Sequence, residues 1–435
     1  MAPEKIIIDT DPGVDDILAL LLALSASPEE IELLLISLTF GNIDVENCLR
    51  NTVSLFHVLE KEILWRKRTG RLQRGYDSLQ RHKPVVAVGA HRPLEDQVLM
   101  GDYFHGIDGL GGVHTKAPHF TPTEIWRHLF HSPSADSAPI PPDSPTPLPQ
   151  EALFTPSSSP AHLEILEQLK SHPPHTVTII AVGPLTNLAL AAAHDPETFL
   201  LAKEVVIMSG TIDLEGNVTP MAEFNAYADA VAAARIFALT SPEPQRTMPP
   251  GQSSLASYPS TLSKRLNLTI FPLDITTMHL LNESEFDKLT APLREEGSPL
   301  AQWASVFIHA TFRKMESLYV AAAGGEGVKR IQDVDISLHD PLCVWYVLTR
   351  LVSGWKAVED RDIRVDATGQ WTRGMYVVDR RTRKKATEEE VKGLEEVKGD
   401  CDGWLHPRWG NRVRQMVESP DRDGFGRAMI QRIFL

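Results

Sequence analysis

Asp9-Thr10-Asp11-Pro12-Gly13-Val14-Asp15-Asp16 follows directly on the apolar run Ile6-Ile7-Ile8 and precedes the apolar, helix-compatible stretch Ile17–Leu24. This pattern predicts a strand ending at Ile8, a tight turn through Pro12-Gly13, and a helix beginning near Val14. The turn then carries four carboxylates within eight residues. Aspartate is common in turns and at helix N-caps, where it satisfies free backbone N–H groups, so one or two of the four can be read that way. Four exceed what capping needs. Carboxylates this close repel one another unless a cation shares the site. Hard cations such as Ca²⁺ and Mg²⁺ take oxygen ligands of this kind. The carboxyl end of a strand in an open α/β sheet is also where ligands bind.

The same alternation continues along the chain. Leu33–Phe40 reads as a strand ending in Gly41-Asn42, and Val45–Leu59 as a helix. Pro84–Val88, Thr176–Val182, Val205–Met208 and Ile270–Leu273 read as strands; Leu185–Ala193 and Ala228–Leu239 read as helices. Strands that are continuous apolar runs separated by helices indicate a parallel sheet buried on both faces. The predicted fold is α/β: a single open, mostly parallel, Rossmann-like sheet with helices on both faces, forming one domain over 1–435.

Three stretches interrupt the rhythm. Residues 118–160 contain eleven prolines and many serines, a composition poor in buriable surface. They read as a Pro/Ser-rich insertion or lid within the domain, with Glu124–His131 as one short helix. Ser241–Ser260 is a second Pro- and Ser-rich loop, and the charged run from Arg380 marks residues 380–410 as an excursion on a solvated face.

The formal net charge of −14 argues against nucleic acid or an anionic membrane as a partner. Three scattered cysteines, Cys48, Cys343 and Cys401, give neither a disulfide framework nor a zinc pattern and suit a reducing compartment. The N-terminus leads straight into the first strand without a signal-peptide layout. The apolar run Ile17–Leu24 is far shorter than the roughly 20 residues needed to span a bilayer. The expectation is a soluble, cytoplasmic protein.

The remaining polar residues fall where strands end. Asn42 follows the second strand, Asn187 follows the Thr176–Val182 strand, and Met208 closes the next. Asn217, Glu223 and Asn225 come shortly after, and His339-Asp340-Pro341 precedes the apolar run Leu342–Leu348. In a parallel sheet these connections open on one edge and converge on one pocket. Each also has a local reading: Asp340 as N-cap with Pro341 in the first helical turn, Asn42 as a turn residue, Met208 as core packing. The combined pattern is what points to a site.

Taken in order, these motifs resemble those of the inosine–uridine-preferring nucleoside hydrolases. The resemblance rests on Ile6–Asp16, Gly41-Asn42, His105-Gly106 with Asp108-Gly109-Leu110-Gly111-Gly112, and Gly183-Pro184-Leu185-Thr186-Asn187-Leu188-Ala189. Met208-Ser209-Gly210, Gly216-Asn217 with Ala222-Glu223-Phe224-Asn225, His339-Asp340-Pro341-Leu342 and Thr372-Arg373-Gly374-Met375, similar to a late hairpin, complete the set. The resemblance implies that Asp11, Asp16, Asp340 and the backbone carbonyl of Val182 ligate one Ca²⁺. It implies that Asp11 is general base toward a metal-activated water. Asp15 and Asn42 would meet the ribose 2′-hydroxyl, and Asn217, Glu223, Asn225 and the region of Met208 would hold the 3′- and 5′-hydroxyls. His339 would stand near the base as candidate acid for the leaving group. Val182 stands where the family often has Thr, a change a backbone ligand tolerates. The resemblance further implies a ribonucleoside substrate and a homodimer or homotetramer.

These residue types suit N-glycosidic cleavage. Oxocarbenium character on the ribose is stabilised by carboxylates and by hydrogen bonds to the 2-hydroxyl, and a metal supplies a positioned water of lowered pKa. Two other readings stand beside this one at the level of sequence. An aspartate-nucleophile phosphotransferase also places Asp-x-Asp after a strand, but such enzymes follow it with Gly-Thr where Pro12-Gly13 stands here. A non-catalytic nucleoside-binding protein would retain the same fold and ribose site.

Overall fold

The computed structural model describes residues 2–71, 75–95, 98–99, 104–130, 147–250, 255–322, 334–392 and 396–435. Its strands are β1 (Glu4–Thr10), β2 (Ile31–Leu38), β3 (Val85–Val88), β4 (Thr155–Ser157), β5 (Val177–Ala181), β6 (Glu204–Met208) and β7 (Leu268–Phe271). They continue with β8 (Leu280–Asn282), β9 (Asp335–Ser337), β10 (Lys356–Arg361), β11 (Ile363–Val365), β12 (Tyr376–Val378) and β13 (Val413–Glu418). One sheet runs β10-β13-β7-β6-β5-β1-β2-β3-β4; β8/β9 and β11/β12 are separate two-stranded ribbons. Every neighbour pair in the large sheet is parallel except β10/β13.

The apolar triplet explains why the sheet is buried twice over. Ile6 and Ile8 enter the core on one face, and Ile7 enters the core on the other. Ile180 and Val206 share the face of Ile8, while Ile179, Val205 and Ile207 share that of Ile7. Period-two alternation with both faces apolar yields strands that read as unbroken hydrophobic runs. Helix α1 (Val14–Leu24) is buried from Ile17 to Leu24 and packs on the helix His339–Thr349. That contact brings the turn after β1 against Asp340.

β1 lies between β2 and β5. From β1 the chain builds outward through β2, β3 and β4, then crosses back to build the other side through β5, β6 and β7. The reversal lies at β1/β5, and the crevice outside the carboxyl ends of strands at such a point is the expected ligand site.

Several boundaries differ from expectation. Helix α2 (Val45–Thr69) runs well past the predicted end at Leu59. Its last turns carry a buried Glu62–Arg66 pair at 2.8 Å, and it stops at Gly70, which adopts the left-handed conformation (φ 74°). The predicted helix Ala228–Leu239 is two, Phe224–Ala228 and Ala230–Ala238. Asp229 separates them: its Oδ1 accepts from Ala232 N at 2.9 Å and its Oδ2 from Thr186 Oγ1 at 2.7 Å. In place of a helix over Glu124–His131 there is a single 3₁₀ turn, Arg127–Leu129. Trp126 sits at φ 50°, a left-handed conformation that interrupts a right-handed helix; His131 lies outside the described residues.

Within 118–160, residues 131–146 lie outside the described residues. Of the rest, Phe120, Phe130 and Phe154 are buried, and Thr155–Ser157 pairs with β3 as an edge strand. Within 380–410, residues 393–395 lie outside the described residues. Lys385 of that stretch is tied to Asp362 at 3.1 Å, and Ala386 N donates to Leu405 O at 2.8 Å. Cys48, Cys343 and Cys401 are all free thiols. Among the described residues no helix is long and apolar enough to cross a membrane.

Candidate active site

The turn after β1 is folded around the Asp16 carboxylate. Thr10 Oγ1 donates to Asp16 Oδ1 at 2.6 Å, Asp11 N to the same oxygen at 3.2 Å, and Gly13 N to Asp16 Oδ2 at 3.0 Å. Asp16 thus closes the loop that its own chain forms, as an acidic residue in a first helical turn does. From the end of β2, Asn42 completes the enclosure. Its backbone N–H donates to Asp11 Oδ2 at 2.6 Å, and its side-chain amide donates to Asp16 Oδ2 at 3.0 Å.

The Asp11 carboxylate is wedged between two glycines. A Cβ on Gly41 would stand 2.0 Å from Asp11 Oδ2, and a Cβ on Gly183, just after β5, would stand 2.5 Å from Asp11 Oδ1. Only glycine permits that approach. Asp11 Oδ1 is buried and has no hydrogen-bond partner among the described residues, a condition that natural interiors rarely leave unexplained.

One oxygen from each of Asp15, Asp16 and Asp340 lies within 4.8 Å of the others. Burial pushes all three carboxyls above the ordinary carboxylate range, as it does Asp11. For Asp340 the charges of Asp15, Asp16 and Asp11 add to that rise, and for Asp11 the charge of Asp16 does. The donor set therefore fits a hard divalent cation: oxygen ligands only, an orphaned Asp11 oxygen, and charges that oppose one another without a counter-ion. Nitrogen and sulfur ligands, which softer metals prefer, are not part of the cluster.

Two histidines flank the carboxylates. His105 Nε2 lies 3.8 Å from Asp15 Oδ1, and its Nδ1 accepts from Val14 N at 3.3 Å. Burial lowers its pKa to about 4. His339 opens the helix that carries Asp340. Burial lowers its pKa as well, against the pull of the Asp15 charge.

The expected ribose contacts separate into two groups. Asn225 Nδ2 donates to Val182 O at 2.8 Å and to Met208 O at 3.1 Å, so it joins the ends of β5 and β6. Glu223 is buried and its carboxylate is taken up by backbone: Gly210 N at 2.7 Å, Asn225 N at 2.8 Å and Ala226 N at 3.1 Å. It caps the turn that presents Asn225. Asn217 is exposed and accepts from Phe224 N at 2.9 Å. The structure thus gathers Asp11, Asp15, Asp16, Asn42, His339 and Asp340 at the head of β1, and sets Val182, Met208, Glu223, Asn225 and Asn217 along β5 and β6.

Sequence reasoning gave no role to three contributors. Asp9 is fully buried beneath the turn, with Ser37 Oγ donating to its Oδ2 and Asn187 Nδ2 bonding the same oxygen at 2.9 Å. Burial raises its pKa to about 7. His105 was visible only as part of a glycine-rich motif. Asn51, inside α2, donates to Pro12 O at 2.8 Å and to Asp108 O at 2.9 Å, tying the two loops together. A polar residue on the buried face of a predicted helix was the available signal.

The sequence profile described as inosine-uridine preferring nucleoside hydrolase matches residues 6–401. The chain is 28% identical over 376 residues to an uncharacterized protein of Schizosaccharomyces pombe, covering 86% of this chain and 89% of that one. It is 27% identical over 374 residues to the pyrimidine-specific ribonucleoside hydrolase RihA of Salmonella paratyphi C, covering 86% and 88%. Among solved structures, the plant nucleoside hydrolase PpNRh1 shares the fold with a TM-score of 0.63 at 21% identity over 99% of both chains. With the profile spanning nearly the whole sheet and every motif that builds the crevice, the chain belongs to the inosine-uridine preferring nucleoside hydrolase family, a family of glycosidases.

Proposed function

We propose that the protein hydrolyses the N-glycosidic bond of purine or pyrimidine ribonucleosides, such as inosine and uridine, to ribose and free base, with Ca²⁺ as its metal. The observation that carries this reading is Asp11 Oδ1, a buried carboxylate oxygen without a hydrogen-bond partner among the described residues, at the switch point of the sheet. Asp11, Asp16 and Asp340, with the carbonyl of Val182, are the residues that would hold the ion. When bound, it would lower the pKa of a water and orient the ribose diol.

The chain's own residues supply the rest. Asp11 takes the proton of the water that bonds to C1′. The pair of the breaking C1′–N bond passes to the base, and His339 in its protonated form gives that base a proton, a role imidazole can fill. Asp15 and Asn42 bind the 2′-hydroxyl, where hydrogen bonds strengthen as positive charge builds on the ribose. Asn217, Glu223, Asn225 and the region of Met208 hold the 3′- and 5′-hydroxyls. Binding at those remote groups orients the reacting centre. A cytoplasmic homodimer or homotetramer acting on free nucleosides completes the proposal.

The test is ribose and base release from uridine, cytidine, inosine, adenosine and guanosine, before and after prolonged chelation. Chelator-sensitive release, absent in Asp11→Ala, is the expected result. Nucleoside binding without any turnover by the Ca²⁺-supplemented protein would instead assign a binding role.

A further inference from the structure

His339 has one ring nitrogen fixed by the protein. Its Nδ1 lies 2.8 Å from Thr276 Oγ1, while Nε2 has no hydrogen-bond partner among the described residues. Thr276 is fully buried and ends the short helix Leu273–Thr276, which follows β7 directly. Its hydroxyl sits on a β-branched side chain with little rotational freedom.

The segment behind it is held on three sides. Asp274 accepts from Ile212 N at 2.8 Å and from Asp213 N at 2.6 Å, fastening the helix to the loop after β6. His279 is pinned through Nδ1 to Ile275 O at 2.9 Å and through Nε2 to Ser419 Oγ at 2.5 Å. Its carbonyl accepts from Leu338 N at 2.8 Å, which fixes the residue just before His339. A hydroxyl mounted this firmly, facing one nitrogen of an imidazole, dictates both the ring's orientation and which nitrogen is left for the site.

We infer that Thr276 is a positioning residue for leaving-group protonation: its Oγ1 accepts from His339 Nδ1–H, so that Nε2 faces the departing nucleobase. The inference rests on the assignment of His339 as the acid. In the step it serves, the ring enters as imidazolium: the proton on Nε2 bonds to a base nitrogen, the C1′–N bonding pair goes to the base, and the ring is left neutral. The Nδ1–H remains on the ring throughout, donated to Thr276. Without the hydroxyl, Nδ1–H would face an unpaired buried environment and the ring would lose its preference for this pose.

The experiment compares two leaving groups in Ca²⁺-supplemented buffer. Natural nucleosides need a protonated base, whereas p-nitrophenyl β-D-ribofuranoside releases a stabilised anion that needs no acid. Thr276→Val is expected to lower kcat on inosine and uridine by about 10- to 100-fold, below the full span of general acid catalysis. It is expected to leave kcat on the p-nitrophenyl riboside within about threefold, and Thr276→Ser is expected to restore nucleoside turnover. Equal losses on both substrates, or no loss on either, would overturn the inference. His339→Ala separates the two layers: if it leaves nucleoside turnover intact, the assignment of His339 fails, whatever Thr276 does. Should valine prevent folding, long-range ¹⁵N–¹H correlation of His339 in the unaltered protein decides the matter. A neutral ring protonated at Nδ1 supports the inference, and one protonated at Nε2 overturns it.

Discussion

Asn42 and Asp11 are joined by a 2.6 Å hydrogen bond from the Asn42 backbone N–H to Asp11 Oδ2, and that bond leaves Oδ1 as the carboxylate's open oxygen. The bond exists because Gly41 lets the chain after β2 pass directly over the carboxylate, with space for no side chain. Gly41→Ala is therefore expected to displace Asp11 before anything else moves. We expect destabilisation of about 1–3 kcal/mol, typical of an overpacked interior, and at least a 100-fold loss of nucleoside turnover. Denaturant unfolding and kcat measured on the same preparation check it. Full activity with an alanine here would show that the wedge does not set the position of Asp11.

Removing the ion is expected to expose the repulsion among the carboxylates. Asp9, Asp11, Asp16 and Asp340 all have folded-state pKa values raised first by burial, that of Asp9 to about 7. A raised pKa stabilises the fold fully below the unfolded value and loses that contribution as pH climbs through the folded one. Chelated protein should accordingly lose stability from about pH 4 upward through 7, while Ca²⁺-loaded protein resists the loss. Free ion at about 100 times its dissociation constant contributes about 2.7 kcal/mol. Thermal unfolding at pH 5 and pH 8, with and without chelator, should show a gap that widens with pH. A gap that narrows would count against shared ligation.

The fold was legible where burial imposes a strict period. β1, α1, β5 and β6 lie within a residue or two of their sequence readings because each is an apolar run bounded by Gly, Pro or Asp. β4 was hidden by proline and serine, which an edge strand tolerates, β10 and β13 by charged residues on half-exposed faces, and the ribbon strands by being only three residues long. The acidic turn announced itself by charge crowding. Thr276 could not, since it is an ordinary Thr in an ordinary helix until the fold brings it to His339 from 63 residues away. Glu223 was foreseen as a ligand contact; that three backbone N–H groups also bond its carboxylate is a role that only coordinates reveal.

The 2′-hydroxyl is expected to matter more than any other polar group of the substrate. Asp15 stands in the carboxylate cluster with its oxygen within 4.8 Å of Asp16 and Asp340. A hydrogen bond to a charged group contributes about 1.5–3 kcal/mol, so 2′-deoxynucleosides should react about 10- to 100-fold more slowly in kcat/KM. Asp15→Asn should reduce the preference for ribose over deoxyribose. Equal rates on uridine and deoxyuridine would remove Asp15 and Asn42 from the ribose site.

His114 gives a pH dependence of the opposite sign, away from the proposed metal ligands. Its Nε2 lies 2.7 Å from Asn51 Oδ1 and its Nδ1 2.7 Å from Thr121 Oγ1. Burial, assisted by the Arg50 charge, lowers its pKa to about 4. A depressed histidine favours the fold above its unfolded pKa near 6.5, and that contribution fades as pH falls toward the folded value. In the neutral ring Nε2–H donates to Asn51 Oδ1, whose amide nitrogen clamps the Pro12 and Asp108 carbonyls, and Nδ1 accepts from the Thr121 hydroxyl, an arrangement that protonation of Nδ1 breaks. Between pH 6.5 and pH 4, then, the native protein should lose more stability than His114→Gln, which keeps a polar side chain but cannot titrate. The difference between the two denaturation series cancels the carboxylates common to both. A flat difference would mean that the clamp, and the seating of the His105 loop with it, does not depend on a neutral imidazole at position 114.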